Sequence, residues 1–204
     1  IVVLDDLDLT IHQAHTGGPF PRIAVQVGNA GQVVVVVPTH RAGAGMRLMD
    51  GEVQIIQHND AALSTADVSS ASSLWKAITA DGSLVAPGTA GTIKMDWRSG
   101  KWTFVTDALT GQSTDGHGTG FTSLGTTLST VPQILYGIGV YPQEPGGDYG
   151  GDDLYAINQG ERIPIRGGGW HNASSAGVFG LDLGNVRSYA NGNIGRRSAY
   201  TGTL

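Results

Sequence analysis

The chain has 204 residues, a formal net charge of −5, 40% hydrophobic and only 14% charged residues, 32 glycines and no cysteine. That length covers one large domain or two small ones, and the absence of cysteine excludes disulfides and thiolate chemistry. An acidic balance with no basic stripe argues against nucleic acid as a partner, and low charge with abundant small polar residues fits a loop-rich, β-rich extracellular or virion protein better than a helical cytosolic enzyme.

Residues 1–60 read as strands. Leu7, Leu9 and Ile11 alternate with Asp6, Asp8 and Thr10, and Ile23, Val25 and Val27 alternate with Ala24 and Gln26, which is the period of a half-buried strand. Asp5, Asp6 and Asp8 then form the solvated face of their strand. His12 and His15 have a spacing found in metal sites but lack a third ligand. The run from Val33 to Val37, closed by Pro38, has no polar face. Such a strand is covered on both sides, by its own sheet or by another subunit. It is too short to span a bilayer. The chain starts at Ile1 without a methionine or a signal pattern, so it reads as a fragment or processed product, which leaves room for a further N-terminal module.

Residues 64–78 read as a helix. Ser64 with Asp67 resembles a capping box, and Val68, Ala71, Trp75 and Ile78 share one helical face. Residues 93–105 read as a hairpin turning at Arg98-Ser99-Gly100-Lys101. Residues 107–130, anchored by Phe121 and Leu124, read as a long loop with one short helix. Residues 142–153 form a second loop, dense in Gly and Asp. A boundary near residues 58–64 separates a β-rich N-terminal segment, 1–60, from a larger domain, 61–204.

The tail carries a set of ordered motifs. They are Leu154-Tyr-Ala-Ile-Asn-Gln-Gly-Glu-Arg-Ile-Pro-Ile-Arg-Gly-Gly-Gly-Trp170, Ala176-Gly-Val-Phe179, Leu181-Asp-Leu-Gly-Asn185, Arg187-Ser188 and Ile194-Gly-x-Arg197. Together they resemble the C-terminal region of variable proteins made by diversity-generating retroelements, among them the phage tropism determinants. Val131-Pro-Gln-Ile-Leu135 and Asp148-Tyr-Gly-Gly-Asp152 extend the resemblance more weakly, and Arg196 stands where the family usually has an aromatic or small apolar residue. The resemblance implies an α+β, C-type-lectin-like fold of the formylglycine-generating-enzyme-like superfamily over residues 61–204. It also implies a variable ligand-binding region at about 166–197. The implied function is binding of a host-surface molecule, protein or glycan, at the tip of a phage or prophage tail fibre. A bacterial surface adhesin of the same family and a non-binding fibre domain are the alternatives. Formylglycine-generating activity depends on cysteines, so no catalysis is expected.

By resemblance, the diversified positions are Gly169, His171, Asn172, Ser174, Ser175, Asp182, Gly184, Asn185, Tyr189, Asn191 and Asn193. A scaffold tolerates change where side chains are exposed and outside the backbone ladder, and Tyr189 and His171 are the expected energetic anchors. Trp170 reads as a core peg. Arg166, Arg187 and Arg197 read as holders of irregular backbone, each donating to several carbonyls. Asp148, Asp152 and Asp153 offer carboxylates to calcium, but no Glu-Pro-Asn or Trp-Asn-Asp sugar-site motif accompanies them, and no cofactor is expected. The related tropism determinants form trimers, so the resemblance and the Val33–Val37 run together imply a homotrimer attached to other tail proteins.

Overall fold

Sixteen short elements make up the described part of the chain, residues 24–27, 33–36, 45–57, 66–144, 146–167 and 177–189 of a computed structural model. In chain order the strands are β1 (Ala24–Val27), β2 (Val33–Val36), β3 (Met46–Met49), β4 (Glu52–Ile56), β5 (Trp75–Ile78), β6 (Leu84–Val85), β7 (Lys94–Arg98), β8 (Lys101–Val105), β9 (His117–Gly120) and β10 (Gly125–Thr126). After the helix α1 (Gln133–Gly137) come β11 (Asp153–Ala156), β12 (Glu161–Arg162), β13 (Ile165–Arg166) and β14 (Leu181–Leu183). A 3-10 turn, Phe121–Ser123, separates β9 from β10. The described chain is therefore mostly β with little helix.

β1 and β2 pair antiparallel as a two-stranded sheet. The largest sheet runs β10-β8-β7-β4-β3-β12, with β5 beside β4 and β6 beside β5. Two tight turns set its registers. Asp50 (φ 46°) and Gly51 (φ 81°) close β3–β4, while Ser99 (φ 50°) and Gly100 (φ 77°) close the expected β7–β8 hairpin. Left-handed φ at both central residues is the type I′ signature, whose twist matches that of paired strands.

One face of this sheet is apolar. Leu48 lies opposite Val53, Met46 opposite Ile55, Met95 opposite Phe104 and Trp97 opposite Trp102. The core lies between this face, α1 through Ile134 and Leu135, and Leu154, Ala156, Leu181 and Leu183 of a second sheet, ordered β13-β14-β11-β9. The other face buries polar groups. Arg47 Nε donates to Gln54 Oε1 (2.8 Å), Gln54 Nε2 to Glu52 Oε2 (2.6 Å), and Thr92 Oγ1 to Glu52 Oε1 (2.6 Å). Each partner satisfies the next, which is what makes such burial tolerable.

The helix expected over 64–78 is absent: residues 66–71 form turns and Trp75–Ile78 is strand β5. The segment is rich in serines, and these compete with helix for backbone groups. Ser72 Oγ accepts from Leu74 N (3.2 Å), and Ser69 O accepts from the buried Trp75 Nε1 (2.8 Å). The expected boundary near 58–64 falls between β4 and β5, which are hydrogen-bonded neighbours. β3 and β4 thus belong with the strands that follow rather than with a separate N-terminal segment. Residues 107–130, expected as a long loop with one short helix, contain a 3-10 turn at Phe121–Ser123 but also the strands β9 and β10.

Candidate ligand-binding face

Strand alternation builds the face. In β11 and β14, Leu154, Ala156, Leu181 and Leu183 are buried, while Tyr155 is exposed and Asp153 and Asp182 are half-buried. Registers place Tyr155 beside Asp182 on one side and Gly118 on the other. The Tyr155 ring lies low over the backbone. A β-carbon on Gly184 would come within 2.8 Å of its Cε1, and one on Gly116 would collide with its hydroxyl.

Asp182, Gly184 and Asn185, three of the expected variable positions, form one turn. Asp182 Oδ1 accepts from Gly184 N (2.7 Å), and Oδ2 accepts from Asn185 Nδ2 (2.8 Å). The carbonyl of Asn185 accepts from Ile163 N (2.9 Å) and that of Gly184 from Arg162 Nη1 (3.1 Å). Tyr189, a fourth, is exposed at the end of a turn in which its N–H donates to Val186 O (2.9 Å). The other expected positions, Gly169, His171, Asn172, Ser174, Ser175, Asn191 and Asn193, lie outside the described residues, as do Trp170, Arg197, Asp5, Asp6, Asp8, His12 and His15.

Among the described residues, the exposed large hydrophobics are Tyr155, Val178, Phe179, Val186 and Tyr189, with Val178 the most open at 66%. All belong to β11 or to residues 178–189. Phe179 is held from beneath: its N–H donates to Asp152 Oδ2 (2.8 Å), and its ring meets Tyr149 edge-on, with centroids 5.1 Å apart. Asp152 is buried, and its Oδ1 has no partner.

The three aspartates that offer carboxylates to calcium in the sequence are dispersed in role. Asp148 is exposed and accepts from Gly150 N (2.9 Å). Asp152 holds Phe179. Burial, followed by the charges of Asp152 and Asp182, pushes the Asp153 carboxyl above its ordinary value. Among the described residues no three His, Asp or Glu side chains converge as a metal site.

Two arginines frame the face. Arg166 Nη2 donates to Ile138 O (2.5 Å), and burial lowers its pKa to about 10. Arg187 was expected to hold carbonyls; instead it grips a carboxylate. Its Nη2 reaches Glu161 Oε1 (2.7 Å) and its Nε reaches Oε2 (3.1 Å). Glu161 Oε1 also receives Arg47 Nη1 (2.7 Å), whose guanidinium sits 4.3 Å from the Trp75 ring centroid. Burial pushes the Glu161 carboxyl up, but the hydrogen bonds from Arg187 and Arg47 and the Arg187 charge outweigh it and bring the pKa to about 2. The 186–189 turn is thereby fastened to the large sheet. Sequence reasoning missed Glu161, Arg47 and Tyr155. Only Tyr155 left a signal, as the aromatic in the polar register of an alternating strand.

No protein-family model matches the chain, and no curated protein matches it.

Proposed function

We propose that this chain is a receptor-binding protein of C-type-lectin-like fold that presents a diversified surface at the tip of a phage or prophage tail fibre. Its ligand is a molecule on the host surface. The motifs in residues 154–197 support the family, and the mixed β architecture is compatible with the fold. The observation that carries the reading is that, among the described residues, the exposed large hydrophobics are Tyr155 and four side chains of residues 178–189, the latter within the stretch that the resemblance marks for ligand binding. Binding surfaces concentrate aromatic side chains, which supply area at low entropic cost.

Labelled protein should bind intact cells of a subset of candidate hosts. Tyr189→Ala should weaken that binding by about tenfold or more while shifting stability by only about 0.5 kcal/mol. Absence of binding to every host strain, or a Tyr189→Ala chain that melts early, would count against the reading. Binding should survive a chelator; its loss and recovery on adding calcium would return the aspartates of residues 148–153 to the site.

A further inference from the structure

Tyr155 precedes the 166–197 stretch, yet its ring contacts the backbone of one position within it. The contact is one-sided in a telling way. Gly184 does not adopt a left-handed φ, so the backbone conformation that restricts a position to glycine is not what keeps a side chain out. The tightest obstacle is the ring: a β-carbon there would lie 2.8 Å from Tyr155 Cε1 and 3.1 Å from Cδ1, and it would also lie 3.1 Å from Asp182 Oδ1. Real β-carbons do not approach that closely, and one of the two groups must move. The ring cannot slide toward Gly116, where its hydroxyl is already in close contact with the backbone. Its base is fixed by β11, paired on one side with β9 and on the other with β14. The free direction is outward, into solvent.

We infer that Tyr155 is a fixed contact residue of the binding face, and that the residue at position 184 sets whether its ring lies flat on the sheet or stands out from it. Glycine at 184 gives a low, flat ring; any larger residue gives a raised one. Substitution at 184 thus changes the face through a residue that lies outside the stretch the resemblance marks as diversified. The contact role rests on the function proposed above, whereas the coupling between 184 and 155 does not.

The coupling is tested without a ligand. Nitration of the native chain and of Gly184→Asn by tetranitromethane, followed by peptide mass mapping, reads ring exposure, with the buried Tyr141 as internal reference. Nitration of Tyr155 should be faster in Gly184→Asn. Melting of the single and double variants completes a cycle: the loss caused by Gly184→Asn should largely vanish in a Tyr155→Ala background, as expected for residues in contact. Unchanged Tyr155 nitration together with additive melting shifts would overturn the coupling. On host cells that bind the native chain, Tyr155→Ala should bind about tenfold or more weakly; equal binding would remove Tyr155 from the face and leave the wider reading standing. A native chain that binds no cell overturns that reading and the contact role with it, and the coupling is still decided by nitration and melting.

Discussion

Glu161 joins two arginines of unequal burial, and replacing it by Gln separates them energetically. The Arg47 side chain is only 5% exposed, whereas that of Arg187 is 34% exposed. Glu161→Gln leaves the buried Arg47 guanidinium without its directly paired carboxylate, with only the weaker attraction of Glu52 remaining. Breaking a buried pair on one side costs about 3–5 kcal/mol. The lower end applies here, because the amide oxygen, Gln54, Ser70 and the Trp75 ring remain as partners. About 3 kcal/mol corresponds to a melting shift of roughly 6–12 °C for a chain of this size. Arg187→Ala removes the more exposed partner and should cost about 1 kcal/mol or less. Denaturant titration of both variants measures the difference. The pH dependence gives a second reading. The Glu161 pKa falls from an ordinary 4.5 to about 2, so its contribution is fully present above about pH 4.5 and is lost as pH falls toward 2. After allowance for solvent screening, that contribution is on the order of 1–2 kcal/mol. It should disappear from the difference between native and Glu161→Gln profiles below pH 4.5. Equal costs for the two variants, or parallel profiles down to pH 2.5, would refute the reasoning.

Other expectations follow from the same contacts. Trp102 is fully buried and donates from Nε1 to His117 O (2.7 Å); Trp102→Ala should cost on the order of 3–5 kcal/mol, read by denaturant titration. Asp96 is fully buried and accepts from Thr110 N (2.9 Å) and Gly111 N (2.7 Å). Asp96→Ala should cost about 1–3 kcal/mol by orphaning those donors and open residues 107–116 to limited proteolysis. The assembly should sediment at three times the 21.1 kDa chain mass, and a monomer at micromolar concentration would count against a trimer. A truncation testing the N-terminal segment should stop at residue 44, because β3 and β4 belong to the large sheet.

The hairpin at 98–101 was legible because its turn chemistry is local: Ser99-Gly100 supplies two left-handed residues between alternating apolar runs. Asp50-Gly51 carries the same signal and marks β3–β4. The 64–78 segment misled because Val68, Ala71, Trp75 and Ile78 fit a helical period by coincidence. Trp75 and Ile78 are both buried in a four-residue strand, where pairing with β4 overrides propensity. Which side chains of residues 178–189 face outward was not readable: the pattern marks every apolar residue there as a core peg, but only Leu181 and Leu183 are buried, whereas Val178, Phe179 and Val186 are exposed and Asp182, Gly184 and Asn185 are half-buried. Nor was the clamp that fixes this stretch, since Arg47 and Arg187 meet Glu161 across 114 and 26 residues, and such distances leave no periodic trace.

The turn formed by Asp182, Gly184 and Asn185 has a consequence for any population of chains that differ there. An acceptor at 182 holds both the N–H of residue 184 and the amide of residue 185, so substitutions at 182 and 185 do not act on the loop independently. Combinations that keep an acceptor opposite a donor preserve the loop; the rest must find another way to close it. The usable repertoire is then smaller than the product of the choices at each site. In a selected pool, sequences should carry joint statistics at 182 and 185 that neither position shows alone.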